Sequence, residues 1–215
     1  MIVLYGSQGS GAAAIEAALE IAGVPYRNVD AASWKPEQKA GLEELRRVNP
    51  LGQIPTLVLP DGGILTESAA MLIVLGLRYP QSGLLPEAVD KRAQAIRGLV
   101  YVAANCYAAI GVIDFPARFC ADADADEATQ ERIRAGTRKR LHELWDIFAD
   151  SFRATPFLNG ERLGALDILA CVVSKWSGSR KHLAQSRPAF HALLGTIEAD
   201  PVIARVFARH WPAKS

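Results

Sequence analysis

The sequence predicts an α/β domain built on a mixed four-stranded sheet, followed by an all-helical domain. Three observations predict it. A short β-favouring run, Ile2-Val3-Leu4-Tyr5, passes through a glycine- and serine-rich loop straight into a helix-forming run, Ala12 to Ala22. Two further apolar runs flank Pro60-Asp61-Gly62-Gly63, and Asp-Gly between such runs is a hairpin signal. Beyond Pro86 the apolar residues recur at helical spacing and no convincing strand follows.

Taken in order, the run at residues 2–5 is the first strand. The loop Gly6-Ser7-Gln8-Gly9-Ser10-Gly11 leads into the first helix, which stops at Gly23, where a C-cap is wanted. Val24-Pro25-Tyr26 opens a second strand ending near Val29-Asp30. The polar stretch carrying Lys39, Glu43, Glu44, Arg46 and Arg47 reads as a solvated helix ending before Asn49-Pro50. Thr56 to Leu59 and Ile64-Leu65 form the hairpin, and Thr66-Glu67-Ser68 opens an apolar helix running to about Tyr79. The order is β-α-β-α-β-β-α, so one βαβ half is closed by a hairpin. Loop formers at residues 80–83 and Pro86 divide the chain into domains at 1–79 and 86–215. In the second, helices are expected over 88–112, 126–153 and 165–176, with one or two more over 188–209 broken near Asp200-Pro201. Leu141, Leu144, Trp145 and Phe148 mark one face of the second of these. The acidic run at 121–127 reads as a solvated loop and helix start.

Bulk properties remove several function classes. Lys plus Arg is 24 against 23 Asp plus Glu, so no basic excess draws in nucleic acid or an anionic membrane. Cys106, Cys120 and Cys171 form no Cys-x-x-Cys pair, and an odd count argues against a disulfide framework. His142, His182, His191 and His210 lack metal-ligand spacing, so no metal is expected. The start Met-Ile-Val-Leu-Tyr carries no charged leader, and the apolar stretches read as too short for a membrane span. A cytoplasmic, reducing location is the expectation.

Three segments carry candidate chemistry. Gly9-x-Gly11-x-x-Ala14, between a strand and a helix, matches a dinucleotide fingerprint, with Asp30 roughly where a ribose-binding acid belongs. A dinucleotide sheet needs about six parallel strands, whereas here a hairpin ends the sheet. The other use of these glycines is close backbone approach to a different ligand, with helix N–H groups offered to an anion or thiolate. In Asn49-Pro50-Leu51-Gly52-Gln53-Ile54-Pro55-Thr56-Leu57, a cis bond before Pro55 would turn the Ile54 backbone outward to pair with an extended peptide. In Thr66-Glu67-Ser68-Ala69-Ala70, the hydroxyl and the carboxylate either cap a helix or hold a ligand. Ser68 and free N–H groups suit a carboxylate, and Glu67 suits an ammonium. A γ-glutamyl group presents both charges on one carbon.

Asn-Pro-Leu-Gly-Gln-Ile-Pro-Thr-Leu, with Thr-Glu-Ser-Ala-Ala following the hairpin, resembles the signature of the glutathione transferase superfamily. Leu4-Tyr5 and the loop behind it resemble the family's first strand and active-site loop, nearest to bacterial beta-like and theta-like members. Phe157-Leu158-Asn159-Gly160 with Ala165-Leu166-Asp167-Ile168, Arg187-Pro188 and Asp200-Pro201-Val202 resemble its helical domain. The resemblance implies a thioredoxin-like N-terminal domain, an all-α C-terminal domain, glutathione as co-substrate, a small hydrophobic electrophile as second substrate, and a homodimer. By position, Ile54 would pair with the cysteinyl part of glutathione. Glu67 and Ser68 would hold the γ-glutamyl end, Gln53 would line the groove, and Lys35 would reach the glycyl carboxylate. The electrophile would sit against residues 98–112. There Gly98, Tyr101 and Asn105 share a helical face by spacing, and Tyr107 falls where beta-like members carry a polar residue facing the sulfur.

Two positions depart from the pattern. Gly164 stands where a hydroxyl N-cap precedes Asp167, which leaves Asp167 as a structural carboxylate. Gly11 stands where beta-like members carry a cysteine, so the thiolate-stabilising donor passes to Ser10, with Ser7, Tyr5 and the N–H groups of Gly11 and Ala12 as alternatives. The expected function is conjugation of glutathione to an electrophile. A glutathione-dependent isomerase or reductase and a non-catalytic glutathione- or partner-binding relative stay open beside it.

Overall fold

The computed structural model describes residues 1–120 and 126–212. The four strands are β1 (Ile2–Gly6), β2 (Tyr26–Asp30), β3 (Thr56–Val58) and β4 (Ile64–Leu65), arranged in the order β2-β1-β3-β4. β1 pairs parallel to β2, with Leu4 opposite Asn28, and antiparallel to β3, with Leu4 opposite Leu57. β3 pairs antiparallel to β4. The sheet is mixed, as the βαβ half plus hairpin requires, and the fold is thioredoxin-like.

Composition explains how tightly this domain is packed. Helix α1 (Ala12–Ile21) buries every residue from Ala12 to Leu19, a surface made mainly of alanine. It lies between β1 and α3 (Ser68–Arg78) on its own domain, and α7 (Ala165–Val173) and α10 (Pro201–His210) of the helical region. Larger side chains would hold these neighbours apart. The polar helix α2 (Lys39–Val48) buries only Leu42 and Leu45, on the far side of the sheet.

The helical region is built on a nearly continuous helix from Val89 to Asp114. It comprises α4 (Val89–Tyr101), a π-helical turn (Val102–Tyr107) and α5 (Ala108–Asp114). By length and composition this helix could cross a membrane, contrary to the sequence reading that no stretch was long enough. Its buried face instead packs on α7: a Cβ on Gly98 would meet Leu166 Cδ2 at 2.5 Å. α6 (Glu127–Ser151) follows, its N-terminus capped by Asp126, whose Oδ1 accepts from Thr129 N–H at 2.7 Å. The acidic run before Asp126 lies outside the described residues. α8 (Ser179–Ser186) escaped the sequence reading because it is polar and buries only Ser179 and Leu183. α9 (Pro188–Glu198) and α10 are separated by Asp200-Pro201, as expected. The Asp200 carboxylate accepts from Val202 N–H at 2.9 Å, a cap that contributes about 1 kcal/mol.

α7 is buried throughout, and Asp167 is its structural anchor. The carboxylate accepts from the N–H groups of Leu158 (2.8 Å), Asn159 (3.1 Å) and Gly164 (3.0 Å). Burial pushes this carboxyl up to about 6, against the pull of those donors. The glycine at 164 has a local reason: a Cβ there would collide with the Asn159 amide, whose Nδ2 donates to Gly83 C=O at 3.1 Å. A hydroxyl cap and this amide would compete for one space.

Candidate functional site

A cleft of about 580 Å³ opens where the loop after β1 faces the helix Val89–Asp114. Its floor is Gly9, Ser10 and Gly11 of the loop after β1. Gly9 takes a left-handed φ of 76°, a conformation that favours glycine. The loop is held from behind by α10: Gly9 N–H donates to His210 Nδ1 at 3.1 Å, and Gln8 Nε2 donates to Arg209 C=O at 2.9 Å. His210 in turn contacts Glu16 Oε1 at 2.8 Å, and Arg209 reaches Glu16 Oε2 at 3.1 Å. Burial raises the Glu16 carboxyl, but His210 and Arg209 outweigh it and hold the group below its usual range.

Ser10 lines this cleft and is buried. Its hydroxyl is turned into the loop, donating to Ser7 C=O at 2.6 Å and accepting from the N–H groups of Ser7 and Ala12 at 3.3 Å. Its proton is therefore engaged within the backbone turn. Ser7 is buried behind the loop, where its Oγ has no hydrogen-bond partner among the described residues. Tyr5 points to the opposite face of the sheet and donates to Glu44 Oε1 at 2.7 Å. Burial, then Glu44, pushes its phenol up to about 12. Neither Ser7 nor Tyr5 lines the cleft.

One wall comes from the α/β domain. Asn49 shapes its loop: Nδ2 donates to Thr56 Oγ1 (3.0 Å) and Gln53 C=O (3.2 Å), and Oδ1 accepts from Leu51 N–H (3.2 Å). Thr56 Oγ1 donates to Gln53 C=O as well, at 2.9 Å. The Ile54-Pro55 bond is cis. The backbone N–H and C=O of Ile54 have no hydrogen-bond partner among the described residues, the arrangement an extended peptide can use. Across the hairpin, Glu67 carries a left-handed φ of 63°, an uncommon and costly state for a residue with a side chain. It sits immediately before α3, whose first residue, Ser68, is buried and lines this cleft.

The helical region supplies the other wall: Tyr107, Asp114, Phe115, Arg118, Phe119 and Trp176. Tyr107 stacks on Trp176 with ring centroids 5.6 Å apart, and the Arg118 guanidinium lies 4.1 Å over the Phe115 ring. Burial, then Asp114 and Glu67, pushes the Tyr107 phenol up to about 12, with the Gly11 backbone pulling the other way.

The structure thus brings Ser10, Gln53, Ile54, Glu67, Ser68 and Tyr107 to one cleft. Lys35 is not among its lining residues; the adjacent Ser33 and Trp34 are. Asn105 is absent from the lining too, because Nδ2 donates to Tyr101 C=O at 3.1 Å within the π-helical turn. That bond is the partner a half-buried amide needs. Sequence reasoning did not find Trp34, Arg46, Asp114, Phe115, Arg118 or Trp176. No local motif marks them, since they meet only through tertiary packing. Among the described residues no cluster of His, Cys, Asp or Glu could hold a metal ion.

Residues 12–77 match the family model described as the N-terminal domain of glutathione S-transferase. This match, the relatives and the solved structures together support the glutathione transferase superfamily. It is 28% identical over 98% of both chains to the uncharacterized GST-like protein YncG of Escherichia coli K12. A glutathione transferase homolog from Sulfitobacter, solved with bound glutathione, shares the fold with a TM-score of 0.82 at 24% identity, covering 96% of both chains. A sphingomonad glutathione S-transferase complexed with glutathione superposes with a TM-score of 0.69 at 26% identity, covering 98% of this chain and 100% of the other. The fold agrees with this: a four-stranded thioredoxin-like domain and a helical domain, the arrangement expected for the superfamily.

Proposed function

We propose that the protein binds glutathione in this cleft and transfers its thiolate to a small electrophile. The observation that carries the reading is the convergence of three separate binding elements on one cleft wall. Ile54 offers an unpaired peptide edge to the cysteinyl residue. Glu67 presents a carboxylate to the γ-glutamyl ammonium, and Ser68 with the first N–H groups of α3 meets the γ-glutamyl carboxylate. Gln53 completes this wall. The sulfur would then reach the start of α1, where the positive end of the helix dipole favours a thiolate over a thiol. Ser10 shapes that loop through its three hydrogen bonds.

The electrophile lies against the aromatic wall, so the second substrate is a small, largely apolar molecule. In the reaction the sulfur forms a bond to the electrophilic carbon, and a leaving group departs with its electron pair if the reaction is a substitution. The thiol proton passes to water. The protein supplies positioning and electrostatics. A homodimer in a reducing cytoplasm belongs to the same proposal. It is supported by the exposed apolar side chains Leu77, Val89 and Val100 on α3 and α4, and by three cysteines free of disulfides. The test is conjugation of glutathione to chlorodinitrobenzene, compared with Glu67→Ala. Turnover that falls at least about tenfold in the variant supports the reading; turnover equal in both removes this wall from it.

A further inference from the structure

The loop at the start of α1 turns no free side-chain donor into the cleft: the unpartnered Ser7 Oγ is buried away from its lining. Gly11 has no side chain, the Ser10 proton bonds Ser7 C=O, and Tyr5 is committed to Glu44 on the far face of the sheet. One hydroxyl stands at the vacant position. A Cβ built on Gly11 would collide with Tyr107 Oη and lie 3.1 Å from Tyr107 Cζ, so the phenol fills the space that a side chain at residue 11 would take. We infer that Tyr107 is the catalytic hydrogen-bond donor to the glutathione sulfur, delivered from the helical region to replace a side chain the loop lacks. The inference rests on the proposed glutathione site and assigns its missing chemical group.

Three further observations converge on it. The Tyr107 hydroxyl sits against the Gly11 backbone and donates to no acceptor among the described residues. Gly11 and Tyr107 both line the cleft, together with Glu67, which holds the other end of the proposed ligand. Tyr107 is also the last residue of the π-helical turn, an irregularity found frequently at functional sites. Stacking on Trp176 then fixes the ring. The phenol keeps its proton throughout: it donates to the sulfur as negative charge gathers there, while the thiol proton leaves to solvent.

The test is Tyr107→Phe, with Ser10→Ala alongside. Glutathione binding is read by calorimetry, thiolate formation by ultraviolet absorbance against pH, and turnover with chlorodinitrobenzene. The Tyr107→Phe variant should bind glutathione within about twofold of wild type, because Ile54, Glu67 and Ser68 are intact. Turnover should fall about 10- to 100-fold, as for loss of one oxyanion donor. The ionisation midpoint of bound glutathione should rise by about one pH unit. If wild type binds and conjugates glutathione while Tyr107→Phe keeps both the pH profile and the rate, the donor assignment is overturned and the site stands. The assignment is overturned equally if Ser10→Ala, and not Tyr107→Phe, moves the ionisation midpoint. If wild type binds no glutathione, the functional reading falls and takes this inference with it.

Discussion

The two walls of the cleft are built on different physical terms. The wall from the α/β domain is local: Gln53, Ile54, Glu67 and Ser68 lie on a loop and a helix start within sixteen consecutive residues, 53–68, and Asn49 and the hairpin fix their geometry. The wall from the helical region is assembled at a distance. Tyr107, Asp114 and Arg118 come from one long helix and the turn after it, and Trp176 comes from beyond α7. The first wall presents polar and backbone groups suited to one defined peptide. The second presents aromatic surface with few directional groups. A fixed co-substrate needs a rigid local cradle, whereas varied electrophiles need only an apolar face. This contrast says where change should be costly for binding and where it should be costly for rate or stability.

The largest effect should come from undermining the distant wall at its anchor. Asp167→Ala leaves the N–H groups of Leu158, Asn159 and Gly164 without their acceptor at a buried site. It should cost about 3–5 kcal/mol in denaturant unfolding, near the upper end for single substitutions. The same carboxyl gives a pH signature. Its folded value of about 6 lies above the unfolded value of about 3.9, so its contribution to stability is full below about pH 4. That contribution is lost as pH rises through about 6, and Asp167→Asn should remove this component of the slope.

Next in size is the seam where the walls touch. Gly11→Ala forces a methyl group against the Tyr107 hydroxyl and should cost about 1–3 kcal/mol of stability. Combining it with Tyr107→Phe should recover part of that loss, since the oxygen in the way is gone. Additive effects in the double variant would place the phenol elsewhere. The smallest effect should come from Lys35→Ala. With its side chain away from the cleft lining, it should change glutathione affinity by less than about twofold, measured by calorimetry.

The same contrast explains what was legible in the sequence. The strand order and the hairpin follow from short stretches whose local rules are strong. The cis Ile54-Pro55 bond, a minority state by local rules, and the placement of Glu67 and Ser68 were legible through the family resemblance. Asp200-Pro201 was legible as a break between helices because proline cannot continue the preceding one. What was not legible depends on facing surfaces. Ser33 and Trp34 rather than Lys35 turn toward the cleft, a matter of loop direction that residue type does not encode. Asn105 looked like a ligand-facing amide, but the π-helical turn exposes the Tyr101 carbonyl and the amide closes on it. The Ser10 hydroxyl was visible; its inward turn onto Ser7 was not. α8 is polar on most of its surface and gave no apolar period to detect. The glycine at 11 read as a lost donor, and only the packed structure shows the phenol standing in its space.

The central claim, a glutathione cradle on the α/β wall, is tested most directly by calorimetric titration of glutathione into the native protein, with Glu67→Ala as the control. Binding is expected in the micromolar-to-millimolar range, at about −4 to −8 kcal/mol, weakened at least about tenfold in the variant. Absence of binding to the native protein, or equal binding to both, would contradict the claim.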